Sequence, residues 1–258
     1  MRTIASLLGL TLLLTACTAS LPTENGNGAT SSSVSSAAQT VRAEEVVYGP
    51  ATGYLALPAG DGPFPAVVLI HEWWGLNDNM RDYAEQFARQ GYVALAADLY
   101  GGESTEDPAR AQELAAGVAG NPTAALQNLQ SAVAYVRGLP DVDGERLASV
   151  GWCFGGGWSY QMARNDLGVQ ATVMYYGRFM PDDDLSQMKA DIIGHFGEDD
   201  ESIPVDDVRA FQARLQTQGG THEIYIYPNR GHGFARELDN PDAVQAWDRT
   251  LAFLREHL

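Results

Sequence analysis

The chain has 258 residues, of which 33 are acidic and 16 are basic, so its formal net charge at pH 7 is −17. Hydrophobic residues make up 45% of the sequence and aromatic residues 9%, which excludes a wholly disordered chain. The acidic balance argues against nucleic acid as a partner, because phosphates are bound by Lys and Arg. The only cysteines are Cys17 and Cys153, which excludes a disulfide framework and a zinc site built mainly from thiolates.

The first 16 residues have the features of a bacterial export signal. Arg2 supplies a positive charge, and the apolar run 4–14 is too short to span a bilayer. The sequence Leu-Thr-Ala-Cys that ends at Cys17 resembles a lipobox, in which the chain is cleaved before the cysteine and the thiol is lipidated. We therefore predict an exported cell-envelope lipoprotein that meets the membrane only through a lipid on Cys17. The alternative is an ordinary secretory signal with a chance cysteine, which predicts a secreted protein.

Residues 17–45 are predicted to be a tether. The stretch 18–40 consists of Ser, Thr, Ala, Gly and Asn with almost no large apolar side chains. Such a sequence buries too little surface to offset the entropy lost on ordering, so we expect it to be flexible. The folded domain is predicted to cover residues 46–258, within which no internal repeat occurs.

Six short apolar runs in the predicted domain have the character of buried β-strands. Continuous apolarity over so few residues suits strands that are covered on both faces, as in a parallel sheet. The runs are Pro65–His71, Tyr92–Leu99, Leu147–Cys153, Gln170–Tyr176, Ile192–Phe196 and Glu223–Tyr227.

Helices with recognisable caps are predicted between these runs. In each helix, apolar residues recur at spacings of three and four, so they share one face. Three helices begin at Asn77 or Asp78, at Asn121-Pro122 and at Asn240-Pro241. Strands that alternate with helices in this way predict an α/β fold, with a doubly wound, mostly parallel sheet flanked by helices.

Cys153 lies at the carboxyl end of one predicted strand, where α/β sheets build their binding sites. The sequence from Gly151 to Gly155 has the form G-x-C-x-G between a strand and a helix. This pattern is typical of a nucleophile elbow, with cysteine in place of serine and glycines that leave room for a strained backbone. The helix start that follows favours a thiolate and a developing oxyanion. The alternative is a small buried cysteine beside a glycine-rich turn.

Two further strand ends supply an acid and a base, Asp200 and His232. His232 stands between two glycines directly after a strand, and Asp200 is placed to orient it, although a solvated acidic loop is the alternative for Asp200. The order nucleophile, acid, histidine is that of the α/β-hydrolases. A triad of Cys153, His232 and Asp200 would attack an ester or lactone and form an acyl-thioester, with the Phe154 amide in the oxyanion hole.

The other four histidines lack this context. His195 lies within a predicted strand and is expected to be a hydrogen-bonded core residue. His222 and His257 are expected at the surface, and His71 falls at the end of an apolar run. None of them is therefore assigned to the triad.

Four stretches of the sequence together resemble the dienelactone hydrolase (carboxymethylenebutenolidase) family. They are VLIHEWWGLN at 68–77, ADLY at 97–100, GWCFGG at 151–156 and GHGFAR at 231–236. The resemblance extends over most of residues 46–258. It implies an α/β-hydrolase fold with Cys153, His232 and Asp200 as the triad, and an enzyme that hydrolyses small esters or dienelactone-type enol lactones. No metal or organic cofactor is predicted, because the sequence has no ligand cluster or phosphate loop.

The resemblance also implies roles for residues around the triad. Glu72 occupies the place of a glutamate that contacts the resting cysteine, and the amide of Trp73 would be the second oxyanion donor. Two arginines bind the substrate carboxylate in the family. Arg236 matches one of them by its spacing from His232, and Arg110 is a looser candidate for the other. The alternative for Glu72 and both arginines is an ordinary surface charge.

Two features depart from a cytosolic dienelactone hydrolase. Trp73, Trp74 and Trp152 are expected to place bulky side chains around the pocket, and the export signal directs the chain to the envelope. A broad-specificity envelope carboxylesterase is therefore the second hypothesis. The third is an inactive, ligand-binding lipoprotein, which absence of ester turnover and of thiol labelling at Cys153 would support.

Overall fold

Eight strands form one sheet in the computed structural model, which describes residues 41–236 and 240–258. The strands are β1 (Arg42–Tyr48), β2 (Ala51–Leu57), β3 (Phe64–Ile70), β4 (Val93–Ala97), β5 (Val142–Trp152), β6 (Ala171–Tyr175), β7 (Asp191–Gly197) and β8 (Glu223–Tyr227). Their order across the sheet is β1-β2-β4-β3-β5-β6-β7-β8. β2 is antiparallel to β1 and β4, whereas the remaining neighbours are parallel. The predicted signal peptide, Cys17 and most of the predicted tether lie outside the described residues.

In the part of the chain that the structure describes, six α-helices flank the sheet: α1 (Asp78–Arg89), α2 (Pro108–Ala119), α3 (Pro122–Arg137), α4 (Phe154–Arg164), α5 (Val205–Gln218) and α6 (Pro241–His257). The predicted caps at Asn77, Asn121 and Asn240 each accept a backbone amide of the following helix. The mostly parallel sheet and its flanking helices confirm the predicted α/β-hydrolase architecture. None of the helices in the described ranges is long and apolar enough to cross a membrane.

The order of the strands creates a crevice at the carboxyl end of the sheet. The chain passes from β3 outward to β4 and then returns to β5 on the other side of β3. At such a switch point, the connections leave neighbouring strands toward opposite faces, which opens a space above the strand ends. The loop after β3 contains Glu72 and Trp73, and the turn after β5 contains Cys153.

The first strand begins at Arg42, four residues before the predicted start of the domain. Within the described residues, β1 is an edge strand that pairs with β2 alone, and most of its side chains are exposed. The sequence therefore has no apolar run here. The backbone hydrogen bonds with β2, rather than burial of side chains, hold these residues in the sheet.

His195 is a hydrogen-bonded core residue, as predicted. Its Nδ1 and Nε2 each lie 3.0 Å from a hydroxyl oxygen, that of Tyr227 and that of Thr250 respectively. Burial lowers the pKa of His195 to about 3, so the ring is neutral at pH 7. The residue therefore joins β7 to β8 and α6 through polar contacts within the core.

The prediction that His222 and His257 lie at the surface is wrong. Their side chains are 6% and 9% exposed. His222 Nδ1 accepts the amide of Ile192 at 3.2 Å, and His257 Nδ1 donates to the carbonyl of Phe253 at 2.8 Å. Both rings fill space at the amino end of β7, and this tertiary packing has no counterpart in the local sequence pattern.

Candidate active site

The backbone at Cys153 has the strained conformation that the G-x-C-x-G pattern predicts. Cys153 stands between β5 and α4 with φ 55° and ψ −116°, and such a conformation costs a non-glycine residue about 1–3 kcal/mol. A Cβ on Gly151 would collide with the carbonyl oxygen of Gly155, and one on Gly155 would collide with that of Ile70. The two glycines therefore allow the turn to close and α4 to begin directly against the end of β3.

Cys153, His232 and Asp200 come together from three different strand ends. Cys153 Sγ lies 3.1 Å from His232 Nε2, and His232 Nδ1 lies 2.7 Å from Asp200 Oδ2. Asp200 is 4% exposed, and its Oδ1 accepts the backbone amides of Ser202 and Ile203 at 2.8 and 3.2 Å. Because both oxygens of the carboxylate have partners, Asp200 is fixed in place and in turn fixes the orientation of the imidazole.

The surroundings of His232 favour its protonated form. Burial lowers the pKa of this imidazole, but hydrogen bonds to Asp200 and Cys153 and the negative charges of both raise it, to about 9 overall. An imidazolium beside a cysteine stabilises a thiolate, which is the nucleophilic form of the side chain. The arrangement is therefore suited to attack by sulfur near neutral pH.

Glu72 and Arg236 form an ion pair in the same part of the molecule. Arg236 Nε donates to Glu72 Oε1 at 2.7 Å, and the two side chains are 41% and 9% exposed respectively. Burial lowers the pKa of Arg236, but the hydrogen bond and charge of Glu72 raise it above its usual value. In the described residues, the Glu72 carboxylate is therefore hydrogen-bonded to the guanidinium of Arg236, and the sulfur of Cys153 is hydrogen-bonded to His232.

His71 connects the loop after β3 to the segment that follows β4. Its Nε2 accepts the amide of Leu99 at 3.1 Å, so Nδ1 carries the proton and donates to the carbonyl of Glu72 at 2.6 Å. Burial lowers the pKa of His71, in agreement with a neutral ring.

The amides of Trp73 and Phe154 donate to no other residue in the described ranges, so both can donate to an oxyanion.

Arg110 lies in a surface cluster on α2. Its guanidinium donates to both oxygens of Glu103 at 2.7 and 2.8 Å and to Glu113 at 2.9 Å. These hydrogen bonds raise the pKa of Arg110, so the group is charged. No hydrogen bond or ion pair among the described residues connects it with Cys153 or His232, and its role in substrate binding stays a prediction.

Most of the chain matches one family of known proteins. Residues 51–258 fit the pattern of the dienelactone hydrolase family. This chain belongs to the dienelactone hydrolase family. The family resemblance read from four sequence stretches is thereby confirmed, and the protein is a carboxylic ester hydrolase of the α/β-hydrolase superfamily.

Individual relatives agree with this membership. A Bradyrhizobium protein named "Probable 2-oxo-3-(5-oxofuran-2-ylidene)propanoate lactonase" is 31% identical over 221 residues, which cover 80% of this chain and 89% of the relative. A Methylorubrum extorquens protein named "Putative carboxymethylenebutenolidase" is 29% identical over 222 residues, or 79% of this chain and 76% of the relative. The structure of the dienelactone hydrolase-like promiscuous phosphotriesterase P91, from metagenomic libraries, covers 84% of this chain and 98% of its own, with a TM-score of 0.77. At 24% identity, P91 supports the fold alone.

Tyr176 is a residue of this dienelactone hydrolase site that sequence reasoning missed. It follows β6 with φ 38°, and its ring lies 5.1 Å from that of His232 and 5.7 Å from that of Phe234. Its buried hydroxyl has no partner among the described residues, and burial raises its pKa well above the usual value. The sequence signal that could have identified Tyr176 is the apolar run ending in Tyr-Tyr-Gly, which places this tyrosine at the carboxyl edge of the sheet.

Trp152 is a core residue rather than part of a pocket wall. Its indole stacks on the rings of Tyr83 and Tyr175, with centroids 4.4 and 5.4 Å away, and it is 2% exposed. The prediction that Trp152 surrounds the pocket is therefore wrong, because the residue before the nucleophile points into the layer between sheet and helix. Trp73 and Trp74 are half-buried in the loop after β3.

Proposed function

We propose that the protein hydrolyses dienelactone-type enol lactones and related small esters through Cys153, His232 and Asp200. The observation that carries this proposal is the continuous chain of contacts from sulfur to imidazole to carboxylate, 3.1 and 2.7 Å long. Nucleophile, base and orienting acid within hydrogen-bond reach are the arrangement that acyl transfer requires. Membership of the dienelactone hydrolase family supports the lactone as the substrate class.

The first half-reaction acylates the cysteine. Transfer of the thiol proton of Cys153 to His232 Nε2 gives the thiolate–imidazolium pair that the site favours, and the thiolate sulfur then attacks the carbonyl carbon of the lactone. The amides of Trp73 and Phe154 bind the resulting oxyanion. When the tetrahedral intermediate collapses, the carbon–oxygen bond of the ring breaks, the ring oxygen takes the proton from Nε2, and the acyl group remains on the sulfur as a thioester. Asp200 stays ionised and stabilises the imidazolium.

The second half-reaction hydrolyses the thioester. A water molecule gives a proton to His232 Nε2 while its oxygen attacks the thioester carbonyl, and the same two amides bind the new oxyanion. Collapse of this intermediate expels the sulfur of Cys153, which regains its proton from His232. The product leaves as a carboxylic acid, and the enzyme returns to its starting state.

A substrate screen tests this proposal. The purified protein would be assayed against enol lactones, saturated lactones and p-nitrophenyl esters, with Cys153 labelling by a thiol reagent measured in parallel. We expect turnover of at least one lactone or ester class together with labelling of Cys153. Absence of both would instead favour the inactive, ligand-binding alternative.

Arg236→Ala is expected to raise KM for a carboxylated lactone by about ten- to a hundredfold, or about 1.4–2.8 kcal/mol. The guanidinium uses Nε for Glu72, and its two terminal nitrogens donate to no residue within 41–236 or 240–258, so a substrate carboxylate can bind them. A carboxylate that enters a partly dry site loses hydration and needs such a partner, particularly in a chain of net charge −17. The measurement is kcat/KM for a carboxylated lactone and for a neutral ester of similar size.

The neutral ester is the control in this experiment, and it separates two functions. A broad-specificity carboxylesterase is the second candidate, favoured by the half-buried pair Trp73 and Trp74, whose rings lie 4.7 Å apart and suit apolar acyl groups. If Arg236→Ala lowers kcat/KM equally for both substrates, the residue supports the structure of the site, and the result favours the broad-specificity carboxylesterase. If neither changes, Arg236 binds no substrate carboxylate.

We also propose that the mature protein is anchored in the cell envelope by a lipid on Cys17. The support is the lipobox-like sequence Leu-Thr-Ala-Cys, followed by a stretch without apolar clusters that could bind a membrane by itself. Full-length protein is expected to partition with membranes, and the Cys17→Ala variant to remain in the soluble fraction, because two or more acyl chains anchor stably. Equal solubility of the two proteins would leave a plain secretory signal.

A further inference from the structure

Arg178 lies at the carboxyl edge of the sheet beside α4, the helix that follows Cys153. It comes three residues after the end of β6, and Tyr175 accepts the amide of Cys153 at 2.9 Å. A Cβ on Gly177 would collide with the backbone of Gly156, and one on Gly157 would lie 3.1 Å from the carbonyl oxygen of Arg178. The backbone of Arg178 therefore lies against the first turn of α4, within about 6 Å of rise from Cys153 along that helix.

The guanidinium of Arg178 has no carboxylate partner in the described ranges. Its side chain is exposed and forms no hydrogen bond or ion pair with residues 41–236 or 240–258. Of the other arginines at or near the predicted site, Arg236 is paired with Glu72 and Arg110 with two glutamates. Among the arginines of the described ranges, only Arg42 and Arg178 form neither an ion pair nor a side-chain hydrogen bond.

Two of the three aspartates that follow Arg178 have other partners. Asp183 pairs with Arg164 at 3.2 Å and accepts Tyr160 Oη at 3.0 Å, and Asp184 accepts the amide of Ser186 at 2.9 Å. Arg214 also donates to the carbonyls of Pro181 and Asp183. These contacts hold Asp183 in the segment after β6, and none of the described acidic side chains, including the exposed Asp182, forms an ion pair with Arg178.

We propose that Arg178 attracts and binds the anionic end of the substrate, a carboxylate, as its acyl carbonyl approaches Cys153. This inference rests on the proposed hydrolysis and deepens it by assigning a specificity-determining residue. The acidic surface repels an anion, so a local cation determines whether a carboxylated substrate reaches the site. The amino end of α4 adds partial positive charge at the same place. An exposed arginine that binds one carboxylate acts mainly on KM and is weakened by salt.

The test compares Arg178→Gln with Arg42→Gln in the full-length protein. Arg42 is a matched control, because it is also exposed and has no ion pair among the described residues. It lies at the start of β1, an edge strand that β2, β4, β3 and β5 separate from β6. Both substitutions change the net charge equally. The measured quantity is the ratio of kcat/KM for a carboxylated lactone to that for a neutral ester of similar size, at low and high NaCl concentration.

We expect Arg178→Gln to lower this ratio about three- to tenfold through KM, and Arg178→Lys to recover part of it. Arg42→Gln should leave the ratio unchanged. The ratio of the unmodified protein should fall as NaCl rises, and that of Arg178→Gln should respond less. An unchanged ratio in Arg178→Gln, or an equal change in Arg42→Gln, overturns the inference while hydrolysis itself persists. Failure of the unmodified protein to hydrolyse either substrate would instead contradict the proposed function.

Discussion

Cys153→Ala is expected to lower kcat/KM for both lactones and p-nitrophenyl esters by at least about 10⁴-fold. The variant lacks the only cysteine in the described residues, and with it the thiol sulfur that would form the acyl-thioester. Alanine still fits the turn, because Cys153 is only half-buried and the flanking glycines keep their close contacts. Steady-state kinetics and the thermal unfolding midpoint, measured together, separate loss of chemistry from loss of fold.

Two variants act as controls for this result. Cys153→Ser keeps a hydroxyl at the same position but, with a less acidic and less nucleophilic group facing His232, should retain only weak activity. Cys17→Ala removes the other cysteine and should retain full activity towards soluble substrates. Substantial turnover by a folded Cys153→Ala protein would refute the cysteine mechanism.

Asp200→Asn is expected to lower kcat by about 10³–10⁴-fold. The amide oxygen can still accept the backbone amides of Ser202 and Ile203, so the loop should keep its conformation. The amide nitrogen, however, now faces His232 Nδ1 and favours the tautomer with the proton on Nε2, which cannot take a proton from the thiol. The variant therefore separates the chemical role of the carboxylate from its role in holding the loop.

The pKa of His232 offers a second measurement on the same variant. The carboxylate of Asp200 is one of the groups that raise this pKa to about 9, so its loss should lower the pKa and reduce the imidazolium fraction at pH 8. NMR titration of the imidazole measures the change directly. Asp199→Asn is the matched control, because Asp199 is the exposed neighbour in the same loop. Equal losses of activity in both variants would indicate a general effect of loop charge.

The strands that carry the site could be predicted because they are buried on both faces. Such strands have continuous apolar runs, and the residues that follow them must gather at one edge of a parallel sheet. Cys153, Asp200 and His232 were located in this way, without any information on distance. The edge strand β1 and the helices α2 and α5 were not predicted, because their exposed or weakly periodic side chains leave little signal.

Side-chain partners were much harder to predict than strand ends. Glu72 and Arg236 are 164 residues apart in the sequence, and nothing local to either indicates that they form an ion pair. The burial of His222 and His257 depends in the same way on the packing of α6 against the amino end of β7. Long-range pairing is determined by how the elements pack, so sequence pattern identified the chemical groups more reliably than their contacts.

Mass spectrometry of the acyl-enzyme tests the central claim most directly. The protein would be mixed with a p-nitrophenyl ester or an enol lactone, quenched in acid within the first turnover, digested and mapped. We predict a mass increase equal to the acyl group on the peptide that contains Cys153, removed by neutral hydroxylamine as a thioester is, and absent from Cys153→Ala. An acyl group on another residue, or continued hydrolysis without any adduct on Cys153, would contradict the account.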